Sequence, residues 1–242
     1  MDQMIRHQCL IYAGSPAAHL PALASIIRYK LNANHRCLYL NSPPMVAGLR
    51  SYLFARDIDV PKEIAKGSLL LSSDNGHLRN GSFDMDRMLG MLTDAVNQAM
   101  SDGYQGLWAT GDMSWEFGPE KDFSKLLEYE SRLEELFQRN STLSGICQYH
   151  TDTLPRDTVR QGLVRHRSIF INETLTRLNS HYSEHEGVNT KENSDIDDMI
   201  NRLCQGQEQN ILLNGSATSK HQSSLGRFAP SPPLRDPRLN ES

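Results

Sequence analysis

The residues with the clearest capacity for chemistry follow the fourth predicted strand, in the segment 111–116 (GDMSWE). Gly111 permits a tight turn, Asp112 brings a carboxylate to the end of the strand, and Trp115 adds apolar surface beside it. An apolar recess with a few polar groups is the usual form of a small-molecule site. The same residues also fit a structural role, in which Asp112 caps the next turn and the aromatic rings fill the core. Both interpretations stay open at this point.

Short apolar strands alternate with helices over the first 175 residues, and these elements must position that segment. We expect strands at 7–13, 36–40, 68–72, 106–110, 143–149 and 168–171. The clearest helix is indicated by an apolar stripe at Met85, Met88 and Leu92. Short, almost wholly apolar strands are typical of a parallel sheet with helices on both faces. The pattern therefore predicts a three-layer α/β fold with a mostly parallel sheet.

Single residues predict where several helices begin and end. Ser15 is suited to cap the first helix, and Pro16 is suited to its first position. Asp84 is expected to start the long helix, which Gly103 ends, while Gly67 ends the helix before the third strand. The loop after the first strand is thus expected to lead directly into a helix N-terminus.

A candidate ligand site follows from the carboxyl ends of the strands, because ligands of open α/β sheets bind where the loops beyond those ends converge. We place a small-molecule site between the loop after the first strand and segment 111–116. Glu130 is included since it lies one turn from Leu126 and Leu133, whereas we expect the other glutamates of its helix to face solvent. The remaining expected site residues are Tyr12, Gly14, Ser15, Asp112, Trp115, Gln148 and Tyr149.

The loop after the first strand lacks the residues that bind nucleotide phosphates. A phosphate-binding loop has the pattern G-x-x-x-x-G-K-[ST], whose amides and lysine neutralise the phosphates. After Gly14 there is no second glycine at that spacing and no lysine before Lys30, and Pro16 removes one amide donor. The sequence also contains neither G-x-G-x-x-G nor G-x-S-x-G. We therefore expect no ATP hydrolysis, no catalytic residues and no cofactor.

Cysteine and histidine spacing gives little support for a metal site. Cys9, Cys37, Cys147 and Cys204 show no C-x-x-C pattern, and we interpret them as buried apolar residues rather than as disulfide partners. His7 and Cys9 lie two apart on a strand and point to the same face. They could bind a metal together with Cys37 and Cys147 only if the strands are adjacent and in register, and ordinary core packing is the favoured interpretation. The pair at 181 and 185 has helical ligand spacing in a polar segment that we expect to be solvated. No metal is predicted.

Charge and hydropathy exclude several classes of protein. The chain of 242 residues carries 25 Lys and Arg against 29 Asp and Glu, a net charge of −4. A nucleic-acid-binding protein normally has a basic surplus, and no apolar run approaches the ~20 residues of a membrane-spanning helix. The polar start, 1–7, does not resemble a signal peptide. We therefore expect a cytoplasmic protein with no direct contact with nucleic acid or membrane.

The composition changes after residue 180, which predicts a folded domain over 1–180 and a polar tail over 181–242. The tail is rich in serine and proline and contains too little apolar surface to offset the entropy of ordering, so we expect most of it to be disordered. A short helix is predicted at 195–204, where Ile196, Met199 and Leu203 recur at helical spacing. It is interpreted either as a frayed helix or as a partner-docking motif.

Six segments, in order along the chain, resemble one family of sensory domains. They are 7–12 (HQCLIY), 36–39 (RCLY), 78–88 (LRNGSFDMDRM), 103–115 (GYQGLWATGDMSW), 127–133 (LEYESRL) and 146–149 (ICQY). In this order they are similar to the MEDS domain, the sensory domain of methanogens, methylotrophs and the dichloromethane regulator DcmR. The resemblance extends from His7 to Ile171.

This resemblance implies a RecA/KaiC-like α/β fold that has lost its phosphate-binding loop. It also implies a role in sensing simple hydrocarbon derivatives, in a family whose members are attached to kinases, phosphatase-type regulators or DNA-binding domains. We find no helix-turn-helix or kinase pattern here, so we expect output through a partner protein. The residues that recur in the family correspond to His7, Tyr12, Gly111, Asp112, Trp115, Glu128, Tyr129, Glu130, Gln148 and Tyr149. On this basis His7 and Gly111 are added to the residues expected to bind the ligand.

The leading hypothesis is a non-catalytic sensor that binds a small organic ligand at the strand ends and signals through a regulatory protein. That partner is expected to be a kinase, an anti-sigma-type regulator or a transcription regulator. The first alternative is a protein-interaction regulator whose own side chains fill the ligand site. The second is a degenerate RecA-like nucleotide binder. The sequence does not indicate an oligomeric state.

Overall fold

The structure is a computed structural model that describes residues 6–171, 175–178 and 195–201. The strands are β1 (His7–Tyr12), β2 (Arg36–Leu40), β3 (Leu69–Ser72), β4 (Leu78–Arg79), β5 (Ser82–Phe83), β6 (Leu107–Asp112), β7 (Leu143–His150), β8 (Ser168–Ile171) and β9 (Leu175–Leu178). The helices are α1 (Leu20–Asn32), α2 (Pro43–Phe54), α3 (Val60–Lys66), α4 (Met85–Ser101), α5 (Met113–Glu116), α6 (Leu126–Arg139) and α7 (Arg156–Arg165).

Seven of the described strands form one sheet, in the order β3-β2-β6-β7-β1-β8-β9. The first six run parallel, and β9 pairs antiparallel with β8 at the edge. Parallel strands require crossover connections, which α1, α2, α4, α6 and α7 provide together with their loops. The predicted three-layer α/β fold with a mostly parallel sheet is confirmed.

The two faces of the sheet pack against different helices, because successive side chains of a strand point to opposite faces. Leu10, Trp108 and Ile146 pack with α1 and α2 in one apolar core. On the opposite face Cys147 faces α4 and α6, and Gly162 of α7 lies against Tyr149. Residues that are adjacent in sequence on β1, β6 or β7 are therefore separated by the thickness of the sheet.

The first helix begins later than its sequence signals predict. Ser15 and Pro16 lie in an exposed turn, and α1 starts at Leu20 with Pro21 in its first turn. His19 occupies the capping position and is 1% exposed, because its ring is buried between the helix and the sheet. The prediction that Ser15 caps α1 is wrong: anchoring the His19 ring in the interior delays the start of the helix by one turn.

A β-hairpin lies between β3 and α4. The strands β4 and β5 are joined by Asn80 and Gly81, which both have positive φ angles of 54° and 88°. Two positive φ angles are characteristic of the two-residue turns that match the twist of a hairpin. The caps predicted nearby are confirmed, since Asp84 accepts a hydrogen bond from the Arg87 amide and Gly67 ends α3 in the left-handed conformation.

Little of the polar segment beyond residue 180 lies within the described residues. Residues 196–201 are helical, and Ile196 and Met199 are 6% and 3% exposed. Arg156 of α7 forms an ion pair with Asp195 at 2.6 Å. The predicted disorder of the tail, the histidines at 181 and 185 and Cys204 lie outside the described residues. Within the described part of the chain, no helix is long and apolar enough to cross a membrane.

Candidate functional site

The residues predicted to form one site are divided between the two faces of the sheet. Tyr12 and Gln148 point toward α1, while His7 and Tyr149 point toward α6 and α7. His7 also lies at the amino end of β1, five residues before Tyr12, which is roughly 16 Å along a strand. His7 and Tyr12 therefore cannot line one small recess, and the single predicted site becomes two buried clusters.

The first cluster is the strand-end network, formed by Tyr12, His19, Thr110, Asp112, Gln148 and His150, all of which are buried. The Tyr12 hydroxyl donates to Asp112 Oδ2 at 3.0 Å, and Asp112 Oδ1 accepts from the Trp115 amide at 3.0 Å. Burial raises the pKa of Asp112, although these hydrogen bonds oppose the rise. Asp112 thus has both roles considered from the sequence, as the cap of α5 and as a member of a polar cluster.

A second chain of hydrogen bonds crosses the same network. Gln148 Nε2 donates to the Thr110 hydroxyl at 2.8 Å, so Gln148 Oε1 accepts from His19 Nε2 at 2.9 Å. The other ring nitrogen of His19 is buried without a hydrogen-bond partner. Burial lowers the pKa of His19 to about 4, despite the hydrogen bond to Gln148. His19 is consequently neutral at pH 7 and holds Gln148 in one orientation.

The loop after β1 is tied to the loop after β7 rather than held open. His150 Nε2 lies 2.9 Å from the Gly14 carbonyl oxygen, and the Gly14 amide donates to Asp152 Oδ2 at 2.7 Å. The His150 ring also stacks on Tyr12, with 4.7 Å between ring centroids. A carboxylate therefore occupies the hydrogen-bonding position that an anionic ligand of this loop would need.

On the opposite face, Glu116 lies directly beneath Gly111. Its side chain is buried and accepts a hydrogen bond from the Tyr129 hydroxyl at 3.0 Å. Burial raises the pKa of Glu116 to about 8, although the hydrogen bond from Tyr129 opposes the rise. A Cβ at position 111 would overlap the Glu116 carboxyl, so this packing requires glycine. Glu116 is the last residue of the candidate segment 111–116, but no individual role was predicted for it, because a glutamate after a short turn gives no sign that it folds back under the strand.

A cavity of about 30 Å³ adjoins Glu116 and Gly111. Its lining is buried and mostly apolar, with Glu116, Tyr129 and Cys147 as the principal polar side chains. We call it the Gly111 cavity. The other lining residues are Leu40, Met88, Leu92, Ala109, Thr110, Leu133, Phe137 and Ile146.

The second cluster, which we call the histidine cluster, consists of His7, Glu130, Cys147 and His166. All four are buried, and one ligand-type atom from each lies within 4.8 Å of the others. Burial raises the pKa of the Cys147 thiol, and the neighbouring Glu130 adds to this effect. Of the residues considered from the sequence as metal ligands, His7 and Cys147 lie here, whereas Cys37 belongs to the core on the other face. Sequence spacing did not connect Glu130 or His166 with them.

The remaining predicted residues lie outside both clusters. Gly14 and Ser15 are exposed in the loop after β1, and Trp115 is half-buried with its ring 4.8 Å from that of His77. Glu128 is exposed and lines an open depression of about 450 Å³ between the hairpin and α6. That depression is lined by charged side chains and lies away from the two clusters.

The fold and the strand-end network define a three-layer α/β domain with a buried polar network at the carboxyl ends of the strands. Its sequence matches MEDS, the methanogen/methylotroph, DcmR sensory domain, over residues 6–167. The chain belongs to this family of sensory domains, as the six ordered segments indicated. The observed sheet has the mostly parallel α/β arrangement that the resemblance implied.

Other comparisons give less detail. The flagellar accessory protein FlaH from Methanocaldococcus jannaschii is similar in structure, with 11% sequence identity and a TM-score of 0.48. The similarity covers 69% of this chain and 72% of FlaH. No curated protein sequence matches the chain.

Proposed function

We propose that this chain is a non-catalytic sensory domain that binds a very small organic molecule in the Gly111 cavity and signals through a regulatory protein. The observation that carries the proposal is the cavity itself: a buried, mostly apolar space at the carboxyl end of β6, with a carboxyl and a phenol at its wall. Membership of a sensory-domain family supports the same role.

The size of the cavity selects the class of ligand. A cavity needs ~10–15 Å³ to hold one water molecule. The Gly111 cavity, at about 30 Å³, therefore has room for roughly two or three non-hydrogen atoms. One-carbon and two-carbon alcohols, amines and halides have this size, which agrees with the family's implied preference for simple hydrocarbon derivatives. Glu116 and Tyr129 would contact the polar end of such a molecule, and Leu92, Leu133 and Phe137 its apolar end.

The carboxyl groups of the cavity and of the strand-end network support binding rather than turnover. Asp112 and Glu116 each accept a hydrogen bond from a tyrosine hydroxyl, so neither carboxyl is arranged as a free general base. The contact of the Gly14 amide with Asp152 argues against the nucleotide alternative, because a phosphate would meet a carboxylate there. The protein is therefore expected to convert neither ATP nor the small organic ligand.

The strand-end network connects the cavity with the surface. Glu116 ends α5, whose first turn is capped by Asp112, and Asp112 binds Tyr12 of β1. A ligand that moves Glu116 would change the equilibrium between conformations of α5 and thereby of the loop at Gly14. Exposed aromatic side chains on α1 and α2 offer a surface for a protein partner, with Tyr29 70% and Phe54 76% exposed.

A thermal-unfolding screen of the full chain tests the ligand proposal. The panel contains methanol, methylamine, dichloromethane and ethanol, with ATP as the comparison, and each compound is analysed for turnover. We expect at least one small organic compound to raise the melting temperature in proportion to the logarithm of its concentration. ATP should have no such effect.

A cavity-filling substitution supplies the matched control. Ala109→Val adds two methyl groups to the cavity wall, whereas Ala47→Val makes the same change at an exposed position of α2. The response to the small compound should be lost in A109V and kept in A47V. An equal response in both variants, or conversion of any compound to product, would overturn the proposal.

A further inference from the structure

The hydrogen bonds of His7 and His166 leave both of their Nε2 atoms directed at the same point. His7 Nδ1 lies 2.8 Å from Glu134 Oε2, and His166 Nδ1 lies 2.7 Å from the Gly162 carbonyl oxygen. Both acceptors require a hydrogen on Nδ1, so in each neutral ring the lone pair is on Nε2. A carboxylate and a backbone carbonyl are the usual partners that orient metal-binding histidines in this way.

The two lone pairs face each other across a short distance. His7 Nε2 and His166 Nε2 are 3.1 Å apart in the interior. Two nitrogen acceptors at this distance cannot form a hydrogen bond with each other, since neither carries a hydrogen. A cation between them would convert this unfavourable contact into two favourable ones.

Glu130 adds a negatively charged oxygen at the same point. The Tyr149 hydroxyl donates to Glu130 Oε1, which fixes the carboxylate. Glu130 Oε2 is buried without a hydrogen-bond partner and lies 3.6 Å from His7 Nε2 and 3.5 Å from His166 Nε2. A buried carboxylate oxygen without a partner is costly unless it is bound to a cation.

The Cys147 sulfur completes the set, 3.4 Å from His7 Nε2. In a tetrahedral zinc site, metal–ligand bonds of ~2.0–2.3 Å place two nitrogens about 3.3 Å apart and a nitrogen and a sulfur about 3.5 Å apart. The observed 3.1 and 3.4 Å lie close to these values. Two imidazoles are borderline ligands and a thiolate is a soft one, so with three such ligands beside one hard carboxylate the set favours Zn²⁺ over Ca²⁺ or Mg²⁺.

We propose that His7, Cys147, His166 and Glu130 form a tetrahedral binding site for a divalent transition metal, with Zn²⁺ as the preferred ion. The ligands come from β1, β7, α6 and the connection between α7 and β8, so the metal would join α6 and that connection to the sheet. Binding would release the Cys147 proton, as thiolate coordination requires. The proposal does not depend on the identity of the organic ligand or on whether one binds.

Cobalt substitution tests the site directly. The full chain is stripped with a chelator, checked for native far-UV circular dichroism, and titrated with Co²⁺ alone and then with Zn²⁺. We expect one Co²⁺ per chain, with the visible absorption of a tetrahedral ion and a near-ultraviolet band from thiolate coordination. Zn²⁺ should remove both bands and should raise the melting temperature.

Two variants locate the metal, with a third as the matched control. Cys147→Ser should abolish the thiolate band. His166→Gln should weaken Co²⁺ binding by on the order of 100-fold, because loss of a residue that only orients a metal ligand already lowers metal affinity by up to about this factor. Cys9→Ser changes a buried cysteine that pairs in register with Cys147 on the neighbouring strand, and it should leave both bands intact. Each folded variant is also compared with the others by isothermal titration with Zn²⁺.

The cobalt spectra of the wild type and of the two cysteine variants decide whether the metal site exists. Loss of the thiolate band in C147S but not in C9S supports the proposal, even if H166Q does not fold. A wild-type chain that binds no Co²⁺, or that shows the same spectrum in C147S, would overturn it. Failure of the small-molecule screen has no bearing on this result, because the cobalt spectrum is measured without any organic compound.

Discussion

Gly111 and Glu116 occupy mutually dependent positions: the absence of a side chain at 111 provides the space that the Glu116 carboxyl fills. The Glu116 carboxyl accepts a hydrogen bond from the Tyr129 hydroxyl and forms part of the wall of the Gly111 cavity. The sequence suggests glycine at position 111 because of a tight turn. The structure adds a second reason, which is that the Glu116 carboxyl packs where a Cβ would lie.

Substitution of Gly111 by alanine is expected to displace Glu116 and to destabilise the domain. Overpacking of this kind typically lowers the free energy of unfolding by about 1–3 kcal/mol, and urea unfolding measures the change. Glu116→Ala removes the clashing group, so the double variant G111A/E116A should be more stable than the sum of the two single changes predicts. Gly90→Ala is the control, because nothing lies within 4 Å of the added Cβ on the exposed side of α4. G90A should leave the free energy of unfolding unchanged or raise it. If the effects of G111A and E116A are strictly additive in the double variant, the predicted coupling is refuted.

Glu116→Gln is expected to change how stability depends on pH. The pKa of Glu116 is raised by burial from 4.5 to about 8, so the unfolded chain ionises first as the pH rises. In the wild type this group therefore lowers the free energy of unfolding between pH 4.5 and 8, by up to about 5 kcal/mol at ~1.4 kcal/mol per pH unit. The glutamine keeps an acceptor for Tyr129 but cannot ionise. Urea unfolding from pH 5 to pH 8.5 should show E116Q gaining stability relative to the wild type, while Glu128→Gln at an exposed position should not.

His19→Gln is expected to change how the free energy of unfolding depends on pH below about 6.5. Burial lowers the pKa of His19 from 6.5 to about 4, so the unfolded chain takes up a proton first as the pH falls. The wild type therefore loses up to about 3 kcal/mol from this group between pH 6.5 and 4. H19Q should unfold with a shallower pH dependence in that range, and the half-buried His35→Gln should alter it less. An unchanged slope in H19Q would contradict the neutral, buried state of this ring.

The helical stretch at 196–201 is expected to contribute to stability through apolar packing rather than through its ion pairs. Met199 is 3% exposed, and Met199→Ala should lower the free energy of unfolding by about 2–3 kcal/mol, as for other large-to-small changes in a core. Arg156 forms ion pairs with Asp195 and Asp197, but all three groups are exposed, and Arg156→Ala should have no measurable effect. Thermal unfolding distinguishes the two contributions. A larger effect of R156A than of M199A would show that charge holds this segment.

Several local features of the chain were determined by its sequence alone. Apolar strands alternating with amphipathic helices specify the three-layer α/β class. A short apolar run is buried as a central strand, and an apolar stripe at helical spacing is buried when a helix packs on the sheet. The missing lysine and second glycine after Gly14 exclude a phosphate-binding loop whatever the tertiary structure, since these groups supply the positive charge and the amides. Caps such as Asp84 and Gly67 depend on the conformation of a few adjacent residues and were predicted for the same reason.

The arrangement of the site was decided by strand order, register and the alternation of side chains. Gln148 and Tyr149 are neighbours in sequence, yet one faces the strand-end network and the other the histidine cluster, because successive residues of a strand point to opposite faces. His7 and His166 are separated by 159 positions and meet only because β8 pairs with β1. No local pattern specifies which strands become neighbours, since that choice depends on burying all the helices and strands together. The sequence therefore determined which kind of domain this is, and the tertiary structure alone decided which of its polar side chains contact one another in the interior.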